Sequence, residues 1–188
     1  MTRPIDRTLA VLRFKLRPVL LVLVLLLARP SWRTFIPGLV VVLIGEALRL
    51  WAIGYLEKDQ VLTTDGIYRY CRHPCYLGNI IGVAGIMVMS SSLAVSLVLA
   101  GYLLLTYPPA IKLEEQRLVE LFGDSYLAYR AAVPGLLPRF WGKRWKPAAP
   151  QPYRVAHLVS YRETYVLAGL FLLEVGLALK LHYGVLMG

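Results

Sequence analysis

Apolar runs long enough, or nearly long enough, to cross a lipid bilayer constrain this chain more than any other feature. A helix needs about 20 predominantly apolar residues to span the hydrocarbon core, where every backbone polar group must be satisfied within the protein. The clearest run is FIPGLVVVLIGEALRLWAIGY, and the predicted spans cover residues 9–28, 35–55, 76–89, 93–111 and 165–181. The sequence therefore predicts an all-α fold, an integral membrane helical bundle with about five transmembrane helices.

The composition supports a membrane protein and argues against a nucleic-acid-binding one. Hydrophobic residues make up 57% of the chain, and the mean hydropathy of +0.58 is too high for an ordinary soluble domain. The net charge of +10 would suit nucleic acid, but the basic residues flank the apolar runs and form no basic face interleaved with aromatic residues. We expect no nucleic-acid partner. The first run has no small-residue cleavage site, so it is predicted to be retained as a span.

The basic residues are divided unequally between the two sides of the predicted bundle. Seventeen of the 21 lysines and arginines lie before or early in the first run, or in the polar segments 56–75 and 112–163. Because cytoplasmic loops carry the excess of positive charge, the N-terminus and both segments are predicted to be cytoplasmic and the C-terminus external. The opposite side holds Arg29, Arg33 and Lys180. A basic cluster is predicted to meet anionic lipid headgroups, namely Arg139, Lys143, Arg144 and Lys146.

The segment CRHPCY, residues 71–76, contains two cysteines and a histidine at alternate positions. A structural zinc site needs four ligands at spacings such as C-x2-C, and only His157 and His182 remain as further histidines. The C-x3-C spacing also differs from that of a thioredoxin-like redox pair. We expect no metal site and no redox pair here. The remaining alternatives are a cofactor-binding turn or ordinary packing cysteines beside interfacial Arg72 and His73.

Adjacent carboxylates stand near the start of the second polar segment. Glu114 and Glu115 belong to a predicted helix with an apolar stripe of leucines and a phenylalanine. Successive helical residues are about 100° apart, so one carboxylate can face a pocket while the other faces water or an arginine. The alternative is a solvated helix start. Nearby, the helix predicted after Pro74 aims free N–H groups at the interface, where a carboxylate would bind.

Two ordered patterns run through these segments. The first, T-x-G-x-Y-x-x-x-R-H-P-x-Y-x-G, is carried by Thr64, Gly66, Tyr68, Arg72, His73, Pro74, Tyr76 and Gly78. The second, E-E followed by F-G-x-x-Y-x-x-Y-x-x-x-V-P, is carried by Glu114, Glu115, Phe122, Gly123, Tyr126, Tyr129, Val133 and Pro134. Together they resemble the isoprenylcysteine carboxyl methyltransferase family and its phospholipid methyltransferase relatives. The match covers roughly residues 45–138 of one predicted membrane-embedded domain, 1–188, with an extra helix at about 164–182.

The resemblance implies S-adenosylmethionine (SAM) as methyl donor and a lipophilic methyl acceptor in the bilayer. It implies a cofactor site lined by Gln60, Val61, Leu62, Thr63, Tyr68, His73, Pro74, Cys75, Tyr76 and Glu114. Within it, His73 and the helix-start amides would hold the amino-acid carboxylate. Arg72 and Glu115 are implied for catalysis. A Rossmann-type site is not available, because no G-x-G-x-x-G follows a predicted strand.

One position departs from the resemblance. The carboxyl methyltransferases have an arginine four residues before the first glutamate of the pair, and this chain has Ala110 there. Arg49, a cation at membrane depth, is the candidate replacement, because such charges are costly in lipid and often functional. The alternative is that Arg49 forms a structural pair with Glu46, three residues earlier.

Four functions remain open from the sequence. The first is a SAM-dependent methyltransferase acting on a membrane-embedded lipid or prenylated acceptor. Phospholipid N-methylation is the alternative, and the missing arginine favours it. A sterol-reductase-like enzyme would use NADPH, but that group lacks the E-E pair ahead of F-G. A non-catalytic scaffold is disfavoured, because both patterns are intact.

Overall fold

The structure, a computed structural model, describes residues 4–57, 59–141, 145–146, 150–160 and 163–186. The helices are α1 (Pro4–Leu27), α2 (Trp32–Tyr55), α3 (Pro74–Ser90), α4 (Leu93–Ala132), α5 (Ala156–Ser160) and α6 (Glu163–Leu186), with a 3-10 turn at Gly66–Arg69. No β-strand occurs in the described part of the chain, and the predicted all-α fold is confirmed. Five of the basic residues counted in the sequence lie outside the described residues, namely Arg3, Lys58, Lys143, Arg144 and Arg162.

Three of the helices are long and apolar enough to cross a membrane: α2, α4 and, over Val166–Tyr183, α6. The shorter apolar helix α3 and the 24-residue α1 complete a bundle with the predicted five long elements. The protein is therefore an integral membrane protein of helical-bundle type. α1 begins at Pro4, earlier than the start expected near Leu9. Proline suits a first helical turn, because its missing N–H would have no intrahelical partner there.

The helix that carries the fourth predicted span, residues 93–111, does not end at Pro108-Pro109. Both prolines lie inside α4, which continues to Ala132. Each proline removes only one backbone hydrogen bond, which can kink a helix without ending it, and such losses are tolerated in membrane helices. At 1.5 Å per residue, the part of α4 before Gly123 already spans about 45 Å, more than the hydrocarbon thickness of about 30 Å, so the end of α4 projects beyond the bilayer. The helix is kinked at Gly123, whose φ of 50° and ψ of −127° are not helical and are accessible to glycine.

Helices α2 and α3 pack closely against each other, and glycines make the approach possible. A Cβ atom at Gly45 would lie 2.5 Å from the backbone nitrogen of Gly82 and 2.6 Å from the carbonyl oxygen of Gly78. Small residues at helix contacts are a common way for membrane helices to pack, because they let the backbones approach closely. This contact fixes the C-terminal end of α2 against the first turns of α3, where the candidate site begins.

The apolar core lies at the other end of the bundle, where α1 and α6 cover α2, α3 and α4. Its most buried side chains include Val24, Val42, Met89, Val95 and Leu177. After α4, the chain runs back across the other end. The Arg139 amide donates to the Tyr70 carbonyl, and the Arg154 amide donates to the Gly54 carbonyl. The polar segments therefore pack over the ends of α2 and α3 and enclose the candidate site.

Candidate active site

A cavity of about 900 Å³ lies where α2 ends, α3 begins and α4 leaves the membrane. Eleven of the thirteen predicted site residues line it, namely Arg49, Val61, Leu62, Thr63, Tyr68, Arg72, His73, Pro74, Cys75, Tyr76 and Glu114. Of the other two, Gln60 is exposed in the loop. Glu115 is not a lining residue, but it contacts Arg72 and His73, which are. The volume is within the range of small-molecule sites. The fold thus brings together two sequence segments about 40 residues apart.

Glu115 is the centre of a cluster of two arginines and a histidine. Its Oε1 atom lies 2.9 Å from Nη2 of Arg72 and 3.1 Å from Nε2 of His73, and its Oε2 atom lies 3.6 Å from Nη2 of Arg130. The hydrogen bond from His73 and the nearby arginine charges hold the Glu115 pKa below its usual value, against the opposing effect of burial. Glu114 instead lines the cavity. The two carboxylates thus face different surroundings, as their helical spacing predicts.

Arg72 and Tyr126 present polar groups that the protein leaves unsatisfied. The Nε and Nη1 atoms of Arg72 and the Tyr126 hydroxyl are buried and have no hydrogen-bond partner among the described residues. Both residues line the cavity. Burial raises the pKa of Tyr126 to about 12, so its hydroxyl stays protonated at neutral pH. Buried polar groups are normally paired, which makes these donors a candidate binding point for an anionic group.

Backbone contacts join the two patterned segments directly. The Arg72 amide donates to the Pro134 carbonyl at 2.9 Å, and the His73 amide donates to the Gly135 carbonyl at 3.0 Å. The buried Tyr129 hydroxyl donates to the Tyr68 carbonyl at 2.6 Å. The R-H-P turn is therefore held by the chain that follows α4. This explains why V-P at positions 133 and 134 belongs to the same pattern.

Gln151 is a supporting residue that the sequence analysis missed. Its Oε1 atom accepts the amides of Thr64 and Asp65 at 2.9 and 3.2 Å, and its Nε2 atom donates to the Leu62 carbonyl at 3.1 Å. Its own amide donates to Oδ2 of Asp65 at 3.1 Å. Burial raises the Asp65 pKa, but hydrogen bonds from Gln151 and Gly66 and the charge of Arg69 outweigh this and leave it lowered. Gln151 thus fixes the loop that forms one cavity wall.

Arg49 is paired with a carboxylate and also reaches the cavity. Its Nη2 atom lies 2.5 Å from Oε2 of Glu46, so the predicted pair is confirmed. The side chain also lines the cavity, although it is only 4% exposed. Arg17 of α1 and Val166 of α6 line the cavity too, and nothing in their sequence context indicated this. The side of the cavity nearest the membrane is therefore built partly by helices outside the patterned core.

An aromatic row leads from the cavity toward the membrane part of α4. The ring centroids of His73 and Tyr76 are 5.8 Å apart, those of Tyr76 and Tyr107 are 5.4 Å apart, and those of Tyr107 and Tyr102 are 6.1 Å apart. Ala110, which stands where the carboxyl methyltransferases have arginine, packs against this row and is 4% exposed. The wall at this position is consequently apolar and aromatic.

The cysteines of CRHPCY have different surroundings. Cys71 is fully buried, and burial raises the pKa of its thiol to about 12, so it is not a thiolate at neutral pH. Cys75 lines the cavity, and its Sγ atom lies 3.5 Å from the Tyr68 hydroxyl. Among the described residues, no three Cys, His, Asp or Glu side chains gather as metal ligands would. The turn instead contributes cavity wall.

Comparison with known proteins gives one family and several relatives. A family model described as phospholipid methyltransferase matches residues 32–125. The protein-S-isoprenylcysteine O-methyltransferase of Schizosaccharomyces pombe is 41% identical over 82 residues, covering 44% of this chain and 35% of that protein. Its counterpart from Xenopus laevis is 35% identical over 132 residues, covering 62% of this chain and 44% of that protein.

The cobalt-zinc-cadmium resistance protein CzcN of Cupriavidus metallidurans is 36% identical over 104 residues, covering 54% of this chain and 48% of that protein. These alignments therefore span about a third to a half of the length of the curated relatives. No solved structure matches the chain. The family model covers half of the chain and includes Arg49, the R-H-P turn and both glutamates. The chain therefore belongs to the phospholipid methyltransferase family.

Proposed function

We propose that the protein is a SAM-dependent methyltransferase that modifies a lipid or prenylated acceptor held in the membrane. The observation that supports this most is the single cavity, which has a polar wall made by both patterned segments and an aromatic wall that leads toward the membrane. Family membership and the relatives named as isoprenylcysteine methyltransferases support the same reaction class. A polar donor and an apolar acceptor need such a two-sided site.

The polar wall is the proposed donor site. Bound SAM would supply a methyl group on a positively charged sulfur. The unsatisfied donors of Arg72 and Tyr126 would bind its carboxylate, and Glu114 would accept from its ammonium or ribose hydroxyls. We assign His73 a different role from the one expected, because its Nε2 atom is already within hydrogen-bonding distance of Glu115. His73 and Glu115 would instead hold Arg72 in place.

The aromatic wall is the proposed acceptor site. Tyr76, Tyr107 and Ala110 would pack against the lipid part of the acceptor, and Arg49 and Arg17 would lie near its polar end. A carboxylate is ionised at neutral pH, so its methylation needs no base. It needs orientation and exclusion of water, both of which the cavity walls and the bound acceptor would provide. The new C–O bond would form as the methyl–sulfur bond breaks, leaving a neutral thioether.

Phospholipid N-methylation is a second candidate function, and the alanine at position 110 favours it. Without the arginine, the wall beside Tyr107 has no cation at position 110 to meet a carboxylate. An amine acceptor has no need of that cation, but it must lose a proton before it attacks. Glu114 is the carboxylate that lines the cavity closest in sequence to this wall, and it would be the candidate base.

The proposed orientation places the N-terminus and the cavity in the cytoplasm, where a polar donor is available. The described cations Arg139 and Lys146 would then face anionic lipid headgroups. Reporter fusions after Arg33 and at Gly188 should report an external location, and fusions at Asp65 and Lys146 a cytoplasmic one. A cytoplasmic C-terminus would contradict this topology.

The direct test is calorimetric titration of the detergent-purified protein with SAM, S-adenosylhomocysteine and NADPH. Binding of the first two without NADPH supports the proposal, whereas NADPH binding alone would indicate a reductase-like enzyme. Tritiated SAM, supplied with a farnesylcysteine analogue or with phosphatidylethanolamine vesicles, then separates the two acceptor classes. Absence of both SAM binding and methyl transfer would contradict the proposal.

A further inference from the structure

A second concave surface lies at the opposite end of the bundle from the candidate active site. It is a groove of about 690 Å³ between the α1–α2 turn and the last turns of α6. The groove is at the start of α2, and the cavity is at its end. On α2 the groove is lined by Trp32 and Arg33 and the cavity by Arg49 and Ile53, so the two sites are about 24–32 Å apart along its axis, at opposite faces of the membrane.

Cations dominate the polar lining of this groove. Arg29, Arg33 and Lys180 all line it, and no carboxylate is present among the described residues that do so. The Nζ atom of Lys180 donates to the Leu25 and Leu26 carbonyls at 2.9 Å, which holds it at the end of α1. Arg29 and Arg33 are exposed and form no ion pair within the described part of the chain. The groove therefore carries three positive charges without a counter-charge among the described residues that line it.

These three residues are also the ones that depart from the charge bias of the sequence. All other lysines and arginines except Arg49 fall on the predicted cytoplasmic side. Positive charge on the opposite side works against the preferred orientation of membrane proteins. Three like charges around one groove also repel one another. A bound anion would offset both costs, and the fold brings all three cations to the same place.

The apolar surroundings of the groove indicate what kind of anion fits. Trp32 is 56% exposed at its edge, and tryptophan is enriched at the headgroup level of membranes. Leu26, which is 70% exposed, extends the lining toward the apolar surface of α1. A ligand with a phosphate at the cations and acyl chains along Leu26 would satisfy both features. We infer that the groove binds the headgroup phosphate of an anionic phospholipid in the leaflet opposite the candidate active site.

The test is native mass spectrometry of the full chain in detergent, titrated with phosphatidylglycerol or phosphatidylcholine of equal chain length. Wild type is expected to bind the anionic lipid more tightly. The double variant Arg29→Gln/Arg33→Gln should lose this preference, by about fivefold for each cation removed. The matched variant Arg29→Lys/Arg33→Lys keeps both charges and should retain most of it. Equal near-ultraviolet circular dichroism would show that both variants are folded.

If the double glutamine variant does not fold, the single variants Arg29→Gln and Arg33→Gln give the same test, with about a fivefold loss each. Equal binding of the two lipids by wild type would overturn the inference. So would an unchanged preference in the folded glutamine variants. A third arm adds inorganic phosphate with the lipid. Displacement of the lipid by phosphate at an equal concentration would assign the groove to a soluble anion and overturn the lipid assignment.

Discussion

Gln151 and Asp65 bind each other reciprocally: the Gln151 side chain accepts the Asp65 amide, and the Asp65 carboxylate accepts the Gln151 amide. Asp65 also accepts the Gly66 amide at 2.6 Å and lies 2.7 Å from Arg69. The two residues are 86 positions apart, so this contact closes the chain around the loop that lines the cavity. Nearby, Tyr153 packs its ring 5.5 Å from that of Tyr55.

Gln151→Ala should weaken the binding of SAM, although Gln151 itself is not a lining residue of the cavity. The variant removes the bonds that fix the backbone of residues 62–65, so the KM for SAM should rise about five- to tenfold, the scale of one or two net hydrogen bonds. The kcat should change less, because the acceptor wall is untouched. Tyr153→Phe keeps the ring contact in the same segment and should behave as wild type. Loss of kcat at unchanged KM would contradict a positioning role.

Glu115→Gln should destabilise the folded protein and change its response to acid. Replacing the carboxylate removes the counter-charge of Arg72 and the charged hydrogen-bond partner of His73, at a cost of about 1.5–3 kcal/mol, the scale of hydrogen bonds to charged groups. The Glu115 pKa is lower in the folded state than in the unfolded state. Its contribution to stability is therefore complete above the unfolded pKa and disappears as the pH falls through the folded one.

The measurement is the melting temperature in detergent between pH 7 and pH 3. Wild type should lose more stability than Glu115→Gln across the acid part of this range. Glu114→Gln is the matched control at the neighbouring position, where no such cluster exists, and its acid response should follow that of wild type. Parallel pH profiles for wild type and Glu115→Gln would mean that the cluster contributes little to the pH dependence of stability.

Gly45→Ala should lower the stability of the protein and Gly82→Ala should leave it unchanged, although both glycines belong to the α2–α3 contact. A Cβ at Gly45 would meet backbone atoms at 2.5 and 2.6 Å, whereas one at Gly82 would meet only Oε1 of Glu46, at 3.8 Å. The first substitution should cost about 1–3 kcal/mol through overpacking, and the second should be neutral. Thermal unfolding in detergent measures both. Equal tolerance would show that the helices separate at little cost.

Ala110→Arg should raise methylation of a farnesylcysteine analogue relative to wild type, since it restores a cation beside the acceptor wall. Tritiated SAM measures the transfer, with Ala110→Leu as a control of similar bulk without the charge. Ala110 is buried against Tyr76 and Tyr107, so the folded fraction of each variant must be measured as well. Robust wild-type methylation of the analogue would instead indicate that Arg49 already serves this role.

The parts of the structure that local sequence determines were predictable. The apolar runs predicted the long helices, and the three-residue spacing of Arg49 and Glu46 predicted their ion pair. The 100° step between Glu114 and Glu115 gave their different surroundings. These predictions rely on periodicity within one helix, where the distance between side chains follows directly from their separation in sequence.

Non-local packing decided the rest. Gln151 lies in a polar segment without periodicity, and only the folded chain brings it to residues 62–65. Arg17 and Val166 line the cavity because α1 and α6 pack around the core, which their own sequences do not specify. The continuation of α4 through Pro108 and Pro109 was also missed. The local rule for proline predicts an interruption, whereas the surrounding membrane strongly favours an intact helix.

The continuous helix from Leu93 to Glu114 ties the number of residues in this stretch to the geometry of the proposed site. Leu93 starts this helix at one membrane face, and Glu114 belongs to the cavity at the other. Each inserted or deleted residue between them would rotate everything beyond it by about 100° and shift it by about 1.5 Å. Exchanging the leucines along this stretch for other apolar residues would leave Glu114 in place, whereas adding or removing a residue would move it. The position of Glu114 in the cavity therefore depends on how many residues precede it in α4 and not on which apolar residues they are.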